Sequence, residues 1–505
     1  MHADAIAILT DIEQRLDTSK LMYGGVSYWP LVRQRIWGML MERLVINPKG
    51  TGTGSGTVAN TNAEWPEVGA VDVGAVGTEY LGFVHPDGTA AGQAVATGAL
   101  NPKAIFIVRP EEYMDMVDGA RFAKTVDSVL ERTVARCPVA KIEIADPRTI
   151  QFARKFPSVF LHLRKASRGV VFDPPYTLEN FAAIPPVLAA AGVDMPFDEE
   201  TLTEDMGKIF YLARIFENTL KRLAPAVLFQ SIYYHTIGMA WVLACRRRNI
   251  LTVDIQHGRL GPHEGHYTQL NVAPPEGYHL MPDLVWCWGR QTKQDIEVDK
   301  KPGCVRHGGI VGGNAWLARW RYHPEADTSE LRAFDQYCAG RRRILVSLQP
   351  LESPIGTELL KAIITAPKDW LWLLRLHPLR RHTMSEIGGI LANASVTNVE
   401  IEQATNLPLF PLLARTDHHV TAFSSVAVEA AAFDIRTSLI GPEGLQIFGP
   451  QLARDIFRFT PIAPMLLAHI HESLVLPRTP LDDDFIDMRP DAADRALDIL
   501  LGTSK

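Results

Sequence analysis

Residues 372–378, WLLRLHP, and residues 418–433, HHVTAFSSVAVEAAAF, decide the fold of this chain. Each opens as a run of strand length and breaks off abruptly in polar residues. In the first, a Leu- and Trp-rich run delivers His377, and Pro378, which has no backbone N–H to give, stops the strand. In the second, the run meets Ser424 and Ser425, and the Ala/Val/Glu stretch that follows has helical character. Hydroxyls at a helix start stand beside unpaired backbone N–H groups and the positive end of the helix dipole, which suits a phosphate. Open parallel sheets bind ligands at the carboxyl ends of their strands. The two stretches are therefore expected to form one anion site.

Outward from these stretches the same alternation continues. Strands are expected at 104–108, 140–145, 159–163, 226–229, 251–255 and 284–288, with helices at 114–137, 147–155, 202–223 and 236–248. After the glycine-rich HGGIVGG (307–313) a second series follows, with strands at 344–348, 370–376, 420–423 and 437–440 and a helix at 357–366. Strand–helix alternation on this scale predicts parallel α/β units. The expectation is two Rossmann-like domains facing each other across a cleft, residues 1–325 and 326–505, with the last helix, from Asp491, packing back toward the junction. Two helices open the chain. The second starts at Trp29-Pro30 and carries Arg33, Arg35 and Arg43 around an apolar stripe, a pattern that suits either packing on its own domain or an anionic membrane surface.

Composition narrows the function. The 505 residues carry a formal charge of −6, so no general attraction to nucleic acid is expected. The five cysteines are scattered and none forms a CxxC pair, which argues against a disulfide framework or a structural zinc site and for a reducing cytoplasm. No apolar run reaches membrane-spanning length, so contact with an inner membrane would be peripheral. There is no GxGxxG after a first strand and no P-loop, so no bound dinucleotide cofactor is expected.

Three N-terminal segments, SIYYHTIGMAWVLACRRRNILTVDIQHGRLGPHEGHY (231–267), PDLVWCWG (282–289) and GGIVGGNAWL (308–317), resemble bacterial surface-polysaccharide transferases of the GT-B superfamily. Capsule Kdo transferases, bacterial sialyltransferases and CDP-glycerol transferases belong to that group. The RLHP and FSS segments resemble the motifs with which bacterial sialyltransferases hold the CMP phosphate, and SLQP from Ser347 resembles the QP motif of Kdo transferases. The resemblance spans about residues 224–444, without a clean D/E-D/E-G motif. It implies a metal-independent glycosyltransferase with a nucleotide-sugar co-substrate, best matched by CMP-Kdo or another CMP-nonulosonate, and a capsule or lipopolysaccharide acceptor. The alternatives are a non-hydrolysing UDP-sugar 2-epimerase, a CDP-glycerol-type phosphotransferase and a non-catalytic sugar-binding partner.

On the donor side the candidates are Gln349, Glu352, Arg375, His377, Ser424, Ser425 and Glu443, at or just beyond the ends of C-terminal strands. His377 also suits neutralising charge on a departing phosphate, or simply capping its loop. On the acceptor side stand His235, Gln256, His263 and His266, and catalysis is assigned to His257, Glu264 and His377. The sequence HEGH at 263–266 lies among glycines and a proline, the wrong setting for a metal-binding helix, so no metal is expected.

Overall fold

The computed structural model describes residues 2–43, 83–84, 90–91, 102–144, 152–156, 158–161, 163, 176–322, 329–349, 355–476 and 484–502. The chain divides into two compact units, residues 1–313 with 491–505, and residues 314–490.

The N-terminal unit is built on seven parallel strands: β1 (Ala104–Val108), β2 (Val139–Glu143), β3 (Val159–Phe160), β4 (Val227–Gln230), β5 (Leu251–Ile255), β6 (Leu284–Cys287) and β7 (Gly308–Val311). Their order across the sheet is β7-β6-β5-β4-β1-β2-β3, extended at the β3 edge by an antiparallel pair at 83–84 and 90–91. Every residue of β1 and β4 is buried, which is why these strands read as unbroken apolar runs. Helices α1 (His2–Arg15), α2 (Trp29–Met41), α3 (Lys124–Val134), α4 (Glu199–Leu223) and α5 (Thr236–Arg247) pack around the sheet. Asp198 starts α4 by accepting from the Thr201 N–H at 2.7 Å, and Phe216 of α4 stacks on Trp241 of α5 at 3.9 Å.

The C-terminal unit carries six parallel strands: β8 (Arg342–Ser347), β9 (Trp370–Arg375), β10 (Val399–Glu400), β11 (His418–Thr421), β12 (Thr437–Leu439) and β13 (Phe457–Phe459). Their order is β10-β9-β8-β11-β12-β13. Counted from its own first parallel strand, the C-terminal sheet follows 3-2-1-4-5-6, the doubly wound Rossmann order, and the N-terminal sheet follows the same order with a seventh parallel strand beyond the sixth. Both Rossmann-like units expected from the sequence are present.

The division falls between Gly313 and Asn314, ahead of the expected boundary at residue 325. The reason is α6 (Ala315–Tyr322), whose Trp316 and Trp320 pack on Phe410 and whose Arg321 pairs with Asp434 at 2.7 Å, all within the C-terminal unit. The last helix, α7 (Ala492–Leu501), belongs to the N-terminal unit, where Asp494 pairs with Arg132 on α3 and Asp498 with Arg136 just beyond it.

One expectation is corrected here. Residues 114–137 do not form one helix. Asp118 and Gly119 take positive φ, so 115–117 turns back on 120–122 as a hairpin before α3 begins. Arg33 and Arg35 of α2 pair within their own unit, the packing role among the two its pattern suits. Arg33, 3 % exposed, pairs with Glu13 and also donates to the Gly265 and Thr268 carbonyls, while Arg35 pairs with Asp205. The expected helix at 147–155 lies largely outside the described residues.

Candidate functional site

In a doubly wound sheet the connections leave on opposite faces beside the first strand, opening a crevice at the carboxyl ends there. In the N-terminal unit that point lies between β1 and β4. Beyond β1 come Arg109 and Glu112; beyond β4 come Ser231, Tyr233, Tyr234 and His235. Ser231 Oγ donates to Glu112 Oε1 across the crevice, and the Arg109 N–H donates to Glu112 Oε2 at 2.8 Å. Burial raises the Glu112 carboxyl above its ordinary value. From the neighbouring β5 comes Asp254, fully buried, which accepts from the Tyr233 N–H at 3.0 Å and the Tyr267 phenol at 2.6 Å.

The sequence-expected acceptor residues lie here, with unequal freedom. His235 Nδ1 accepts from the Gly238 N–H at 3.1 Å at the start of α5. That bond places the single proton of the neutral ring on Nε2, where it remains to be donated. Burial, then the Arg109 charge, holds His235 down to about 3, so the ring stays neutral. Gly238 is required at this turn, because a Cβ there would lie 2.4 Å from the Tyr233 carbonyl oxygen.

Gln256 braces the loop that follows β5. Its amide donates to the Gly258 carbonyl at 2.8 Å, its Oε1 takes the Trp288 N–H at 2.7 Å, and its backbone carbonyl takes the Trp288 indole N–H at 3.0 Å. The brace presents His257, whose Nε2 lies 3.4 Å from the Tyr234 hydroxyl and whose buried Nδ1 has no hydrogen-bond partner among the described residues. His266 stacks on Tyr234 at 3.8 Å between ring centres, and its Nδ1 lies 2.9 Å from Glu264 Oε1. His263, by contrast, is exposed. The Arg109 charge acts on His235, His257, Tyr234 and Asp254 alike, so these groups share one locality.

In the C-terminal unit the corresponding crevice lies between β8 and β11. Thr421 Oγ1, at the tip of β11, donates to the Ser347 carbonyl at the tip of β8 at 2.8 Å and accepts from the Ser424 N–H at 3.2 Å. Ser424 Oγ accepts from the Val426 N–H at 3.3 Å and so caps the short helix Val426–Ala432, whereas Ser425 is exposed and makes no side-chain capping bond. His377 lies beyond β9. Its Nδ1 accepts from the Leu379 N–H at 3.3 Å, which leaves an Nε2–H donor. The capping role and the ligand role therefore coexist in one ring.

Glu443 opens the helix Glu443–Ile447 next to this loop. A Cβ on Gly441 would meet its Oε2 and the Ala422 Cβ, each at 2.8 Å, so the glycine permits the close approach. Gln349 follows β8 and is half-buried, while Glu352 lies outside the described residues. Arg375 ties two elements together. Its Nη1 donates to the carbonyls of Ala404 and Leu407 at 2.7 Å each, tying the helix Glu402–Asn406 to β9.

Sequence reasoning missed Arg109, Glu112, Tyr234 and Asp254. The available signal was the abrupt AIFIV-RPEE boundary at residues 104–112, the same kind of strand end that marked His377. Among the described residues, no group of three or more His, Cys, Asp and Glu side chains is placed to hold a metal, and no helix is long and apolar enough to cross a membrane.

No protein-family model matches the chain, and no curated protein matches it. Among solved structures it is similar to the UDP-GlcNAc 2-epimerase of Neisseria meningitidis, with a TM-score of 0.47 and 13 % identity over 79 % of this chain and 98 % of that one. The UDP-GlcNAc 2-epimerase of Methanocaldococcus jannaschii gives a TM-score of 0.48 and 11 % identity over 79 % and 98 %. Anabaena Alr3699/HepE, solved with UDP and glucose, gives 0.39 and 12 % over 80 % and 98 %. Likeness at this level transfers no residue and no substrate to the present chain.

Proposed function

We propose that the protein is a glycosyltransferase that moves a sugar from a nucleotide-activated donor to a surface-glycan acceptor. The donor phosphate is held in the C-terminal unit and the acceptor hydroxyl in the N-terminal unit. The observation that carries this reading is the set of strand-end loops at and beside the β8–β11 switch point. There the Nε2–H of His377 and the hydroxyls of Ser424 and Ser425 supply donors suited to a phosphate. Donors fixed in advance stabilise charge that builds on the departing phosphate without reorganising as it forms. One imidazole and two hydroxyls suit a single phosphate, which favours a CMP-activated 2-keto acid sugar such as Kdo or another CMP-nonulosonate, with a capsule or lipopolysaccharide acceptor. Isothermal titration with CMP, CDP and UDP tests the class. Tightest binding of CMP is expected, and tightest binding of UDP would remove the CMP-sugar reading.

A second reading, a UDP-sugar 2-epimerase, gains from the two carboxyl groups of the N-terminal crevice, Glu112 and Asp254. It ranks lower because both oxygens of each are already engaged within the unit. Deuterium entering C2 of UDP-N-acetylglucosamine in D2O, read by NMR, would establish it.

A further inference from the structure

His377 opens a tight turn that brings Arg380 beside it. The Arg380 N–H donates to the His377 carbonyl at 2.8 Å, and the Leu379 N–H donates to His377 Nδ1 at 3.3 Å. A turn closed in this way keeps its first and last Cα atoms within about 7 Å of each other. Arg380 interrupts the helical course of residues 378–383, with φ −119° and ψ 16°, and both it and His377 are half-buried. The long side chain of Arg380 is thus rooted within reach of the ring that carries the Nε2–H donor.

Three arginines gather at this end of β9, and they are not equivalent. Arg375 is tied to the Ala404 and Leu407 carbonyls, and Arg381 reaches the Thr405 carbonyl at 3.5 Å. Among the described residues the Arg380 guanidinium has no hydrogen bond and no ion pair, and solvent reaches it. No acidic residue stands between Asp369 and Glu386 in the sequence, and the nearby Glu429 charge acts on Arg375. A cation partly withdrawn from water is ordinarily paired, and departures from that rule gather at functional sites. The planar fork of a guanidinium matches a carboxylate through two parallel N–H donors.

We propose that Arg380 binds the carboxylate on the anomeric carbon of the donor and so selects a 2-keto acid sugar. The proposal rests on the reading that His377 holds the donor phosphate, and it needs the C-terminal unit alone. In a CMP-activated 2-keto acid sugar, only the bridging oxygen and the anomeric carbon separate the phosphate from the carboxylate. A phosphate at His377 therefore brings the carboxylate to the neighbouring position, where Arg380 stands. An aldose donor carries hydrogen in place of that carboxylate and leaves the guanidinium without its anion. Discrimination then follows from the unpaired charge as much as from the bond made.

Calorimetric titration of the full chain with ligands that differ in their second anion decides the proposal. Cytidine 5′-methylphosphate offers one phosphodiester. CMP-Kdo or CMP-3-fluoro-N-acetylneuraminate, whichever the wild type binds more tightly, adds the carboxylate, and CDP adds a second phosphate instead. Arg380→Gln is expected to weaken the CMP-sugar by about 10–100-fold and to leave the methyl ester within about twofold. Its urea midpoint should stay in place, because no internal bond is removed. Arg380→Lys, which keeps the charge without the fork, should recover part of the loss, and Arg381→Gln should keep wild-type affinities. Unchanged affinity of Arg380→Gln for the CMP-sugar overturns the proposal, as does an equal loss in Arg381→Gln. A loss confined to CDP overturns it too, by giving Arg380 to a diphosphate donor. A wild type that binds the methyl ester as tightly as either CMP-sugar sinks the carboxylate site and spares the single-phosphate reading. A wild type that binds UDP but no cytidine ligand sinks both.

Discussion

The Tyr267 phenol donates to Asp254 Oδ2 at 2.6 Å, clamping a fully buried carboxyl whose other oxygen takes the Tyr233 N–H. Burial outweighs both bonds and pushes Asp254 up to about 8 from its ordinary 3.8. The folded chain therefore keeps a proton there that the unfolded chain loses as pH rises above 3.8. Stability from this group is greatest at low pH and declines as pH climbs toward 8, with a slope of about 1.4 kcal/mol per pH unit. Asp254→Asn cannot ionise, so its urea midpoint should vary less with pH between about 5 and 8 than that of the wild type. Parallel pH dependence in the two proteins would mean that Asp254 is already ionised in the fold.

The serine pair divides into two roles that separate variants distinguish. Ser424→Ala removes the acceptor for the Val426 N–H and should cost about 1 kcal/mol of stability. Ser425→Ala touches no capping bond and should leave the denaturation midpoint in place while weakening CMP binding. His377→Ala should reduce turnover by about 10²–10³, the usual effect of losing one donor to a developing anion. If all three variants keep nucleotide affinity and rate, the donor phosphate binds elsewhere.

Arg375 should behave as a structural residue. Arg375→Leu leaves the Ala404 and Leu407 carbonyls without their cationic donor, at a cost of about 1.5–3 kcal/mol for each bond to a charged group. A lowered urea midpoint with unchanged CMP affinity in the folded protein is the expected pair of results. A selective loss of CMP affinity would return Arg375 to the donor site.

Much of the fold was legible because strands buried on both faces leave continuous apolar runs, such as AIFIV at 104–108 and WLWLL at 370–374. What escaped was short or glycine-rich. Val399–Glu400 and Phe457–Phe459 are edge strands of two and three residues, and Gly308–Val311 reads as a turn until it is paired with β6. At the candidate site, residues following a single strand were visible locally, as with His377. The Ser231–Glu112 and Tyr233–Asp254 contacts depend on which strands become neighbours, and no local pattern encodes the order β5-β4-β1. Gln256 and Arg375 stand where the sequence places them, and their bonds to backbone partners are equally invisible to a local pattern.

A last prediction concerns three buried histidines in the C-terminal unit. His418 Nε2 lies 2.9 Å from Ser438 Oγ, which lies 2.7 Å from His469 Nδ1, and His419 bridges Ser347 and Thr437 at 2.9 and 3.1 Å. Burial holds His419 down to about 3 and His469 down to about 4, and His418 lies well below its ordinary 6.5. Below pH 6.5 the unfolded chain takes up protons that these folded rings refuse, so stability falls with pH over the interval from 6.5 to about 4. Each ring contributes a slope of up to about 1.4 kcal/mol per pH unit. His419→Gln retains hydrogen-bonding capacity but cannot be charged. It should lose some stability at pH 7 yet show a shallower decline of the urea midpoint between pH 6.5 and 5. An identical decline in variant and wild type would place the acid sensitivity of this unit outside the histidine–serine network.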